Sequence, residues 1–192
     1  MDYGCFKPFV YVGYPISLPP IAGCPEVYRK RTIRFVALDR ERPDRFQSVK
    51  VIKKRSRVAI AVPATLSEYD NNLSIMLATS LLATHDYVVS VDWVYLSNPY
   101  EFDHIAIPAI NLFLDQTNGL LVGRAICVFA FNLIESRLVD PDEVVIAGQS
   151  AGASLLSQLS DYCKNRFGLR FGRFIGKSIF HRKFFHELLF DF

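Results

Sequence analysis

Ser150 stands at the centre of Gly148-Gln149-Ser150-Ala151-Gly152, directly after the apolar run Val144-Val145-Ile146-Ala147 and before the helix-compatible stretch Ala153-Ser154-Leu155-Leu156-Ser157-Gln158-Leu159. A strand, a sharp turn carrying a serine and a helix make up a nucleophile elbow. A serine so placed can attack an acyl carbonyl if a base takes its proton and backbone N–H groups meet the developing oxyanion. The flanking glycines answer a steric demand. So tight a turn forces the serine into a strained backbone conformation, and bulk two residues away would collide with the strand or the helix.

Such a serine needs a sheet beneath it. Thr32 to Asp39 alternates well enough for a strand, which Arg40-Glu41-Arg42-Pro43-Asp44 closes as a polar turn. Val58-Ala59-Ile60-Ala61-Val62, ended by Pro63, has the continuous apolar character of a buried parallel strand, as does Tyr87-Val88-Val89-Ser90-Val91-Asp92-Trp93. Helical spacing runs from Asn72 to Ala83 and from Leu120 to Arg137, and Asp140-Pro141-Asp142 introduces the elbow strand. Strands alternating with helices predict an α/β fold of the α/β-hydrolase type, with a mainly parallel sheet, flanking helices and reactive groups at the carboxyl ends of the strands. Residues 1–31, with Pro8, Pro15, Pro19, Pro20 and Pro25, read as a turn-rich lead-in. Beyond Ile179, Phe180, Phe184 and Leu188, then Phe185, Leu189 and Phe192, fall on one helical face and predict a core-facing helix rather than a lipid-surface one.

Composition narrows the function. A chain of 192 residues that is 51% hydrophobic fits a single domain, and 22 basic against 19 acidic residues give +3, too mild a balance to argue for nucleic acid. The basic clusters Arg29-Lys30-Arg31 and Lys53-Lys54-Arg55 with Arg57 each precede an apolar run and read as solvated approaches to strands. No apolar run approaches the roughly 18 residues of a membrane-spanning helix, and Met1-Asp2-Tyr3-Gly4-Cys5 does not open like a signal peptide. Cys5, Cys24, Cys127 and Cys163 lack metal-ligand spacing, and they are compatible with thiols or with one or two disulfides. Asn72-Leu73-Ser74 is a glycosylation sequon, meaningful only on the secretory route.

Several segments, in collinear order, resemble the amino-terminal catalytic region of the pancreatic-type triglyceride lipases. They are Gly4-Cys5-Phe6 with Leu18-Pro19, Thr32-Ile33-Arg34-Phe35 with the stretch from Arg40 to Gln47, the strand ending in Val91-Asp92-Trp93, Val122-Gly123, and Gly172-Arg173-Phe174-Ile175-Gly176. The resemblance implies an α/β-hydrolase domain incomplete on its C-terminal side, a lipid or ester substrate met at a lipid surface, secretion, and Ser150 as nucleophile. It also implies backbone oxyanion donors at Ala151 and Ala64. No cofactor is implied, since serine ester hydrolysis needs none, and no calcium-ligand loop is apparent.

The departures bear on activity. Where the family has His-Gly-aromatic this chain has Val62-Pro63-Ala64, and proline lacks an N–H and restricts the residue before it. Ser178 stands where the family's aspartate is expected, and a neutral hydroxyl cannot steady an imidazolium by charge. The family's histidine belongs to a segment beyond Phe192, and nothing in the pattern places His181 or His186 beside Ser150. The expectation is a lipase-like protein with lost or strongly weakened hydrolysis. The alternatives are an active serine esterase using another base, and a non-enzymatic lipid- or protein-binding scaffold.

Overall fold

The computed structural model describes residues 33–64, 67–94 and 108–177. Six strands form one sheet in the order β2-β1-β4-β3-β5-β6: β1 (Arg34–Asp39), β2 (Arg42–Ser48), β3 (Val58–Val62), β4 (Tyr87–Asp92), β5 (Val144–Gln149) and β6 (Arg173–Lys177). The four strands β4, β3, β5 and β6 run parallel, whereas β1 pairs antiparallel with both β4 and β2. Every residue of β3 and β4 is buried, as their unbroken apolar runs require of strands covered on both faces.

Helices cover the two faces unequally. One face receives α1 (Asn72–Leu82), and the other receives α2 (Pro108–Glu135) and α4 (Leu156–Phe167), with the short α3 (Ala151–Ser154) between β5 and α4. Alternation along the strands divides the core. Val58, Ile60, Val62, Tyr87, Val89, Val91, Trp93, Val144 and Ile146 pack with α2 and α4. The smaller Ala59, Ala61, Val88 and Ala147 lie with Ala78, Leu81 and Leu82 of α1. The mixed, mainly parallel sheet between helical layers, with an elbow at the carboxyl end of the interior strand β5, is an α/β-hydrolase-like fold.

The helix starts and pairings follow from local chemistry. The Asn71 side chain accepts from the Ser74 N–H at 2.8 Å and so caps the first turn of α1. Along the seam between α2 and α4, Gly119 faces Leu155, Gly123 faces Leu159 and Cys127 is joined to Cys163 by a disulfide. Steps of four in the same sense on both helices mean that they run parallel. Both cysteines are fully buried, and their Cα atoms lie 5.6 Å apart, inside the span that a disulfide bridges.

Two expectations are corrected, and one strand is added. The polar turn after β1 is shorter than expected: Arg40 and Glu41 make it, and Arg42, Pro43 and Asp44 already belong to β2, which returns along β1 as a hairpin. Pro43 and Asp44 fall where the register shifts between the Asp39–Arg42 and Leu38–Phe46 pairs, an irregularity on an outer strand where proline is tolerated. The second long helix starts at Pro108 rather than Leu120, with proline at a helix start, where its missing N–H costs nothing. Gly172 to Gly176, noted only as a point of resemblance, contributes β6 beside β5. The Pro-rich lead-in and the phenylalanine-rich face beyond Ile179 lie outside the described residues. Among the described residues, no helix is long and apolar enough to cross a membrane.

Candidate active site

Ser150 has φ 54° and ψ −117°, outside the regions ordinarily open to an L-residue. That conformation costs on the order of 1–3 kcal/mol and persists only where the surroundings enforce it. The packing around it leaves room for glycine alone on either side. A Cβ on Gly148 would collide with the Gly152 carbonyl and lie 2.6 Å from the Ala153 nitrogen. One on Gly152 would overlap the Val62 carbonyl oxygen and lie 2.7 Å from that of Pro63. The elbow therefore folds onto the end of β3 as closely as backbone allows. The Ser150 carbonyl accepts from the Ala153 N–H at 3.0 Å and the Ser154 N–H at 3.3 Å, so the helix begins at the serine itself.

The sheet register brings the two proposed oxyanion donors to the same edge. Val62 pairs with Gly148 across the β3–β5 ladder, so Ala64 and Ser150 each lie two residues beyond the last pair. Ala64, Ser150 and Ala151 are all half-buried. Ala151 opens α3, and a first-turn N–H has no acceptor within its own helix. Trp93, just past β4, is buried and donates its indole N–H to the Pro63 carbonyl at 3.1 Å, which ties the exit of β3 to the exit of β4.

The remaining partners are not brought together by the described residues. Ser178, His181 and His186 lie outside them. Among the described residues the one histidine is His85, before the amino end of β4 and so at the opposite edge of the sheet from Ser150, with its Nδ1 3.0 Å from the Leu81 carbonyl. Asp92, at the carboxyl end of β4, is 2% exposed and accepts from Arg34 Nε at 2.9 Å. The sequence reading passed over Asp92 and Trp93 as functional neighbours. Their alternation onto opposite faces of β4 was visible, but Arg34 and Pro63 are distant in the chain. Among the described residues, no group of three or more His, Cys, Asp or Glu side chains could hold a metal ion.

No protein-family model matches this chain, and no curated protein matches it. Among solved structures, it is similar to a brefeldin A esterase, described as a bacterial homologue of human hormone-sensitive lipase, at 20% identity and a TM-score of 0.42, over 70% of this chain and 32% of that one. It is similar to the thermophilic carboxylesterase EstE1 from a metagenomic library at 18% identity and a TM-score of 0.37, over 70% of this chain and 42% of that one. A third is an ester hydrolase from the metagenome of Lake Arreo, at 14% identity and a TM-score of 0.38, over 69% of this chain and 36% of that one. The chain thus spans about a third to two-fifths of the length of these structures. Likeness at this level carries no substrate or activity across to it. The structure itself shows an α/β-hydrolase-like fold in which strand β5, paired on both sides, ends in a serine elbow.

Proposed function

We propose that this chain is a lipase-like, carboxylic-ester-handling protein of the pancreatic-type branch, with Ser150 as its nucleophile and with hydrolysis lost or strongly weakened. The observation that carries the reading is the strained Ser150 backbone at a strand's carboxyl end, in a turn whose close packing requires that Gly148 and Gly152 lack a Cβ. In the acyl step the Ser150 Oγ–carbon bond forms, the carbonyl electron pair moves onto oxygen, and the hydroxyl proton passes to an imidazole or to water. The Ala151 and Ala64 N–H groups would meet the oxyanion, and one such donor is worth about 10²–10³ in turnover. Weak turnover is supported by Ser178 at the position of the family's acid.

The test is two assays on one preparation. A fluorophosphonate should label Ser150 but not the Ser150→Ala variant, while a short-chain nitrophenyl ester should show no serine-dependent turnover. Absence of labelling removes Ser150 as nucleophile, and turnover abolished by Ser150→Ala removes the weakened-hydrolysis part.

An oxidising, secretory setting belongs to the same proposal. The buried Cys127–Cys163 disulfide favours it, and Asn72 of the sequon is exposed at the start of α1. Asn72 should carry an N-glycan in the protein isolated from its own cells. Unmodified Asn72 together with free Cys127 and Cys163 thiols would remove the localisation.

A further inference from the structure

The exit of β3 departs from the residues expected of an oxyanion loop, yet its backbone is bonded to a side chain from the exit of β4. The Pro63 carbonyl accepts the Trp93 indole N–H at 3.1 Å, within a residue pair separated by 30 positions. Trp93 is 1% exposed and sits in the apolar core on the α2 and α4 face. Its ring therefore cannot follow the loop outward, and the carbonyl it holds is drawn inward. The described chain contains no cis peptide bond. In a planar trans peptide unit the carbonyl oxygen and the following N–H point in opposite directions. A Pro63 carbonyl drawn into the core consequently turns the Ala64 N–H away from it. Proline at 63 contributes by fixing its own φ, and the Val62 and Pro63 carbonyls close against Gly152 leave that segment little room to rotate.

We infer that Trp93 is a positioning residue for the Ala64 N–H, aiming that donor at the oxyanion formed when Ser150 attacks a carbonyl or phosphonyl centre. The inference rests on the reading of Ser150 as a nucleophile. It changes the meaning of the Pro63 departure: the loop keeps its donor, and a side chain from the neighbouring strand orients it.

The experiment measures the rate of fluorophosphonate labelling, in which the Ser150 Oγ–phosphorus bond forms, fluoride departs and the hydroxyl proton passes to solvent. Trp93→Phe keeps the ring and deletes the donor. Its maximal labelling rate should fall about tenfold, the order expected for one hydrogen bond, with the half-saturating probe concentration unchanged. Ala64→Pro deletes the N–H itself and should slow labelling by about 10²–10³. On the Ala64→Pro background Trp93→Phe should slow it no further. Wild-type rates in Trp93→Phe would overturn the inference and leave the nucleophile standing. The same slowing by Trp93→Phe with and without the Ala64 N–H would also overturn it, showing that Trp93 acts only on stability. A wild-type chain that does not label overturns the nucleophile and the inference together. If thermal melts show that Trp93→Phe does not fold, Ala64→Pro decides alone: undiminished labelling overturns the inference.

Discussion

The crossing from β5 to α4 and the crossing from β3 to α1 both leave the sheet at the edge where Ser150 stands, and they are built by opposite means. After β5 no residue is spent on a loop: Gln149 ends the strand, Ser150 turns and Ala151 opens a helix. Its close packing leaves no room for a Cβ at Gly148 or Gly152, and α4 is cross-linked to α2 at Cys163. After β3 the chain runs through Pro63 and Ala64 to the Asn71 cap before α1 begins. Near the site it is held by the Trp93 to Pro63 hydrogen bond, and at the opposite edge of the sheet, where α1 returns to β4, Asp86 accepts from Arg57 at 3.0 Å. Beneath α1 the Ser74 and Ser90 hydroxyls are fully buried and, with Asp92 Oδ1, have no protein hydrogen-bond partner, an energetic cost that the apolar α2 and α4 side avoids. One crossing is defined by what cannot fit, the other by what must be bonded.

Changes at the β5 crossing should therefore have the larger effects. Gly148→Val puts a branched side chain where even a Cβ collides with backbone. It should cost about 3 kcal/mol or more and abolish Ser150 labelling, read by urea unfolding and by probe incorporation; a stable, labelled variant would show that the elbow is not sterically closed. Next, replacing Cys127 and Cys163 together by alanine removes a cross-link spanning 36 residues. It should lower stability by about 3 kcal/mol in the same unfolding assay, and an unchanged midpoint would place the rigidity of the elbow helix elsewhere.

The β3 crossing should respond more mildly. Asn71→Ala leaves the Ser74 N–H without its cap and should cost about 1 kcal/mol, with α1 amides exchanging faster than those of α4. If α4 is affected equally, the two crossings are not independent. The smallest effect is electrostatic. Hydrogen bonds from the Arg57 side chain, then from its backbone N–H, hold the Asp86 carboxyl below its ordinary range against a minor opposing effect of burial. A depressed folded pKa contributes stability that is fully present above the unfolded value and is lost as pH falls through the folded one. The gap in melting temperature between the wild type and Asp86→Asn should therefore be constant near neutrality and close only below about pH 4. A gap that closes near pH 6 would mean that another group supplies it.

Legibility followed the same division. The elbow, the buried strands β3, β4 and β5 and the helix from Asn72 were readable because each is written in contiguous residues: glycines around a serine, unbroken apolar runs, helical spacing. The β2 strand was missed because Arg42-Pro43-Asp44 has turn chemistry, and only pairing with β1 makes it a strand. The disulfide partners were left open, since spacing alone cannot say which helix faces which. Val62-Pro63-Ala64 is contiguous in the sequence, but the tryptophan that bonds its backbone lies past another strand.

What the amino-acid sequence determined by itself is the turn at Ser150 and the class of sheet that carries it, because the sterics of glycine and the periodicity of burial act over a few residues. What the tertiary structure alone decided is how that turn is surrounded. It set the antiparallel addition of β1 and β2, the Cys127–Cys163 link between parallel helices, and the bond from Trp93 to Pro63. These join residues distant in the chain, and their geometry exists only once the sheet has set the register that brings them together.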